Sequence, residues 1–276
     1  MTLFPEFSGR IMCTGMALYG TDRISPLEAY KAGHEFFSAM SVDITTAGYT
    51  RYIEVAGERD VELVEVPFDE LKSLIESGVA TDFRIYNNSG GQIPWRASFG
   101  YNTPSFGGFF GIDAQLDVQL ADSADKFIDY IKRIATSLNV SYGIAYEAPK
   151  MTSAFYYAAG SNLAKLKPFE NPSAFGKEVP GGSYGAARYQ ESMLRMVYPI
   201  NVISDRHLNI VVGGIQLKEW IVAEDNRGSL QPIGNDLWLW LVPEAALDSI
   251  NQLCGEAGIL ISWKPQAVPR PGRKLP

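Results

Sequence analysis

The residues that could do chemistry in this chain are few, and their spacing limits what each could do. Gly181-Gly182-Ser183-Tyr184-Gly185 fits the G-x-S-x-G pattern of a serine nucleophile, and Asp205 and His207 follow in the order used by α/β-hydrolases. That mechanism needs a sharp strand-to-helix turn that lifts the serine above a parallel sheet. The preceding residues, Lys177-Glu178-Val179-Pro180, do not read as a strand, and Asp205 stands only two residues from His207. A glycine-rich loop produces the pattern by chance, so a hydrolase using Ser183 is an alternative and not the main reading. The histidines are His34 and His207 and the cysteines Cys13 and Cys254, too few for a His/Cys zinc cluster. His34 falls on a helix, where a solvated or packed ring is expected. His207 falls in the polar turn Ser204-Asp205-Arg206-His207-Leu208, and its ring is expected to bond local backbone. The cysteines, one near each end, read as two buried thiols. Gly90-Gly91, Gly107-Gly108 and Gly213-Gly214 are isolated pairs without a phosphate-loop pattern, and they read as hairpin turns or bulges. No catalytic residue, metal or cofactor is expected.

Carboxylates gather in one place. Glu54, Glu58, Asp60, Glu62, Glu65, Asp69 and Glu70 lie within seventeen residues, with Arg59 the only base among them. Glu62 and Glu65 are three apart, so a regular strand puts them on opposite faces. The run is either a solvated strand edge whose charges discourage aggregation, or a patch that meets a basic partner and steers its approach. Residues 95–110 add Trp95, Phe99, Tyr101, Phe106, Phe109 and Phe110 among glycines and Pro104. Aromatics there can anchor an interface, though covering a core is the commoner use. On the interface reading the contact residues are Glu54, Glu58, Asp60, Glu62, Glu65, Asp69, Trp95, Tyr101 and Phe106.

The elements that must position these residues can be read along the chain. Ser25-Pro26-Leu27-Glu28 opens a helix with a capping box, continued by the stripe Leu27, Tyr30, Phe36, Phe37 and Met40. A second helix follows Pro67, with Phe68, Leu71, Leu74 and Ile75 on one side and Gly78 as its stop. Ser123 is expected to cap a third, with Phe127, Ile128, Ile131, Ile134, Ala135 and Leu138 buried. A last helix opens at Pro243 and uses Ala246, Leu247, Ile250, Leu253 and Cys254. Strands are expected over 10–19, 51–56, 61–66, 83–86, 95–101, 112–120, 141–146, 196–203, 237–241 and 259–263. The alternation in 112–120 predicts a strand wet on one face. Such strands in succession imply an α+β fold, mainly antiparallel sheets with packed helices. Residues 112–146 and 237–263 each read strand, helix, strand, which suggests two related halves. Pro168, Pro172, Pro180, Gly176, Gly181 and Gly182 mark a linker-like loop over 165–185. It separates an N-terminal α+β portion, 1–164, from a smaller C-terminal one, 186–264, with a flexible tail over 265–276.

Charge narrows the partners. The 276 residues carry a net −7; the last thirteen hold Lys264, Arg270, Arg273 and Lys274 and no acid, so the remainder carries −11. Such a surface repels nucleic-acid phosphates and anionic membranes and attracts basic proteins. No window approaches the roughly 20 apolar residues that cross a bilayer. Residues 1–10 do not read as a targeting signal, so a cytoplasmic protein is expected.

The C-terminal third carries a resemblance. Residues 194–203 read LRMVYPINVI, followed by Arg206-His207-Leu208, Gly213-Gly214 and Leu217-Lys218-Glu219-Trp220-Ile221. Then come Arg227-Gly228-Ser229-Leu230 and Leu237-Trp238-Leu239-Trp240-Leu241-Val242-Pro243-Glu244. Over about 190–263 this resembles the bacterial immunity proteins of polymorphic-toxin and type VI secretion systems, most nearly the group numbered fifty-two. The resemblance implies a non-catalytic protein without a cofactor that binds a cognate toxin in the cytoplasm. It implies a basic nuclease domain of the restriction-endonuclease-like class as that toxin. A protein that binds a small ligand between its halves is a further alternative.

Overall fold

The computed structural model describes residues 12–88, 95–161, 163–180 and 187–265. In chain order these form β1 (Cys13–Tyr19), α1 (Pro26–Met40), β2 (Thr46–Val55), β3 (Glu58–Val66), α2 (Phe68–Glu76), β4 (Phe83–Asn87), β5 (Ala97–Asn102) and β6 (Gly111–Leu116). Next come α3 (Leu120–Ser137), β7 (Tyr142–Ala148), α4 (Met151–Ala158), α5 (Pro172–Gly176), β8 (Ile200–Ser204) and α6 (Asp205–Leu208). The small hairpin β9 (Val211–Val212) and β10 (Ile215–Gln216), α7 (Leu217–Val222), β11 (Ser229–Gly234), β12 (Leu237–Leu241) and α8 (Leu247–Glu256) complete them.

Ten strands make one antiparallel sheet in the order β11-β12-β8-β7-β1-β6-β5-β4-β2-β3. The expected α+β, antiparallel architecture is therefore the observed one. The sheet joins strands from before residue 165 and after residue 185, because β7 pairs with β8. Its two faces bury separate cores. Met16 and Leu18 of β1 face a core with Phe36, Phe99, Phe127 and Ile131, under α1, α2 and α3. Ala17 and Tyr19 face the other, with Tyr142, Tyr157, Phe175 and Trp240. A strand covered on both faces reads as the unbroken apolar run seen in β1.

Local signals place several elements directly. Ser25 and Glu28 form the expected capping box of α1. β2 and β3 join through Ala56 and Gly57, both with positive φ (54° and 84°), the two-residue turn that matches strand twist. Cys13 and Cys254 are buried free thiols.

Other expectations are corrected. The strand over 112–120 ends at Leu116, and its polar face is dry. Asp113 and Gln115 lie against Arg84 and Ser98, and Phe155 of α4 covers the Arg84 guanidinium at 4.5 Å. A Cβ on Gly100 would collide with that guanidinium, so only glycine fits beside it. Ser123 does not cap α3, which starts three residues earlier. The Leu120 N–H donates to Glu147 Oε1 from β7, so a distant carboxylate supplies the acceptor that a cap would have given. Residues 259–263 form no strand of the sheet; Leu260 bridges Leu194 and Trp263 bridges Glu170. The second strand–helix–strand unit thus lacks the final sheet strand that β7 gives the first. The glycines Gly90 and Gly91 and the Ser183 motif lie outside the described residues, as does the tail beyond 265.

Candidate functional site

β3 ends the sheet, and β4 pairs with β2 only over Thr46–Tyr49. Beyond Thr50 the hairpin therefore continues as a two-stranded arm. Pairing of Tyr52 with Val61 and of Thr50 with Leu63 puts these side chains on the face away from α1 and α2. Tyr52, Val61 and Leu63 are 39%, 46% and 45% exposed, an apolar stripe in water. Tyr52 is held in place: its ring stacks on Phe106 at 4.8 Å, its hydroxyl donates to the Ser105 carbonyl, and the Arg59 guanidinium lies 3.4 Å above it. Glu54 and Glu65 flank the stripe on the same face.

Glu58, Asp60 and Glu62 occupy the opposite face, so Glu62 and Glu65 diverge as the spacing implies. Arg51 reaches across to Glu62 at 2.7 Å, a pairing that the local run of acids does not reveal. Both groups are solvated, and such a pair contributes little stability. Four carboxylates, Glu54, Glu58, Asp60 and Glu65, remain on the hairpin against Arg59, so the arm is acidic.

The remaining candidates lie apart. Asp69 sits in the first turn of α2, where a helix N-terminus favours a carboxylate. Trp95 is half-buried, 5.9 Å from Tyr86 and edge-on to Phe155. Tyr101 is 3% exposed, and its hydroxyl donates to the Ile24 carbonyl, so it offers a partner no surface. Of the aromatics over 95–110, Phe106 alone joins the arm through a ring contact with it. Tyr52, Val61 and Leu63 escaped the sequence reading because their shared face depends on the register fixed at Ala56-Gly57.

The Asp205–His207 pair does not form a relay. Nδ1 of His207 accepts from the Ser204 N–H at 3.1 Å, and Nε2 lies 2.8 Å from the Tyr189 carbonyl, which fits a neutral ring protonated at Nε2. Asp205 instead accepts from the Trp238 indole N–H at 2.6 Å. Burial pulls the His207 pKa down from 6.5 to about 4. The unfolded chain therefore binds a proton that the folded chain refuses between those values. This contribution is intact above pH 6.5 and lost as pH falls towards 4, by up to about 3 kcal/mol. Denaturant unfolding from pH 7 to pH 4 should show that slope in the parent and a shallower one in His207→Gln. Equal slopes would mean that another group carries it.

Residues of the C-terminal resemblance tie the second core together. Asn201 donates to the Tyr198 and Trp240 carbonyls, and the Trp240 indole donates to the Arg227 carbonyl. Arg227 in turn donates to the Trp220 carbonyl and lies over its ring. Arg195 is buried, donating to the Tyr157 carbonyl and stacking on the Tyr157 ring.

The fold and site define an α+β protein with one broad antiparallel sheet, its central strands covered on both faces, that ends in an acidic arm. It is similar to the Pseudomonas aeruginosa T6SS protein PA0821, with a TM-score of 0.52 and 12% identity over 94% of this chain and 77% of that one. At that identity the likeness is one of fold. No protein-family model matches the chain, and no curated protein matches it. No helix among the described residues is long and apolar enough to cross a membrane.

Proposed function

We propose that this chain is an immunity protein that binds and neutralises a cognate type VI-secreted or polymorphic toxin, a basic nuclease domain of restriction-endonuclease-like class. The observation that carries the reading is the arm: an apolar stripe, flanking carboxylates and a terminal strand edge in one projecting element. A terminal strand can accept a partner strand through its backbone, while carboxylates steer a basic surface towards it. The likeness in fold to a T6SS protein supports a type VI-related role. The resemblance over 190–263 adds the cognate toxin. Neutralisation by occupancy needs no catalytic residue and no cofactor from this chain, and the cytoplasm is where the two proteins would meet.

Co-expression with a toxin-like reading frame lying beside this one tests the proposal. Cells are expected to survive with both proteins and to die with the toxin alone. Death at the same rate in both cases would end it.

A further inference from the structure

The same sheet carries a second surface at its other end. α1, α2 and α3 cover one face in succession; the C-terminal half of α3 reaches across to β12 and β11, and beside its N-terminal half an open trough of about 630 Å³ lies between the helix and residues of β8, β12 and β11. One wall is a stripe of α3, with Leu120, Ala124 and Ile128 spaced i, i+4, i+8 along it. Ile200 of β8 and Leu241 of β12 form part of the lining beside it. The charged residues lining the trough are Glu147, Asp225 and Glu244, all acidic. Glu147 is engaged in capping α3, and Glu244 lies 3.4 Å from Lys167, whereas Asp225 and Glu244 are both exposed to an approaching molecule.

We propose that this trough docks an amphipathic helix of a partner protein, its apolar face against α3 and the strands and its basic flank against the acidic rim. The stripe spans about 12 Å along α3 at 1.5 Å per residue, two turns of a helix laid alongside. The small side chains of Ala121 and Ala124 let such a helix approach closely. A partner bearing carboxylates on its flank would meet like charge, so the rim selects sign as well as shape. This inference does not depend on the arm or on the toxin reading.

The probe is a dye-labelled helical peptide of leucine, alanine and lysine, with lysines flanking one apolar face. Its counterpart has glutamate at every lysine. Fluorescence anisotropy should show the lysine peptide binding at least about tenfold more tightly. Because the whole protein is acidic, location is decided by methyl NMR: shifts are expected at Ile128, Ile200 and Leu241. Ala124→Trp, which fills the trough from a half-exposed helix position, should weaken the lysine peptide at least about tenfold. Asp225→Lys, outside the apolar wall, should weaken it without altering the fold. Shifts confined to the β2–β3 arm, equal binding of the two peptides, or full binding by Ala124→Trp would each overturn the proposal. Concentration-dependent self-association abolished by Ala124→Trp would overturn it too, by making a second copy the occupant.

Discussion

Asp113→Ala is expected to cost about 3–5 kcal/mol of folding stability, the usual effect of leaving one partner of a buried ion pair alone. Arg84 grips Asp113 with two nitrogens, at 2.6 and 2.8 Å, and the two side chains are 9% and 7% exposed. Without the carboxylate the guanidinium keeps Ser98 Oγ at 2.9 Å, Gln115 Oε1 at 3.4 Å and the face of Phe155, none of which is charged. The amides of Gln115 and Asn102 also lose an acceptor in Asp113. Total stability for a domain is about 5–15 kcal/mol, so the variant should melt far below the parent or fail to fold. The double variant Arg84→Met with Asp113→Leu should recover part of the loss, because an apolar pair removes the stranded charge. Its remaining deficit is the two amides, about 1–3 kcal/mol for each group left unsatisfied. A loss under about 1 kcal/mol for Asp113→Ala, measured by urea unfolding, would mean that water reaches the pair.

Reversing charge on the arm should do the opposite, sparing the fold and weakening association. Glu54, Glu58 and Glu65 are exposed, and surface substitutions of this kind usually stay within about 0.5 kcal/mol. Glu54→Lys, Glu58→Lys and Glu65→Lys together should nevertheless slow association with a basic toxin domain by about 10- to 100-fold at low salt. Glu62 is left alone, because its pairing with Arg51 would confuse the result. An unchanged association rate would remove the arm as the contact.

Much of the helical frame was legible because its signals are local. The Ser25–Glu28 box and the stripe after Pro67 need only neighbouring residues, and both gave helices close to the expected bounds. The alternation Ile112-Asp113-Ala114-Gln115-Leu116 is also local, but its meaning is not. The same pattern serves a strand with a wet face and one whose polar face is buried against a cation, and that cation, Arg84, stands 29 residues upstream. The start of α3 fails for the same reason, since its acceptor is Glu147 on another strand. For the candidate site, the acids of the arm could be found from composition. Its apolar stripe could not, because Tyr52 looks no different from Tyr101 until the register exposes one and the sheet buries the other. The His207 ring bonds the Ser204 backbone as expected, but the Tyr189 carbonyl that completes its burial is 18 residues away.

We propose that this protein acts by binding a basic protein partner. It is tested most directly by calorimetric titration of the purified chain with the product of a toxin-like frame found beside its own, at low and high salt. One saturable complex of nanomolar affinity is expected, weakened as salt screens the acidic arm and accompanied by loss of the partner's activity. No heat and no complex at micromolar concentrations, with a folded and active partner, would contradict it.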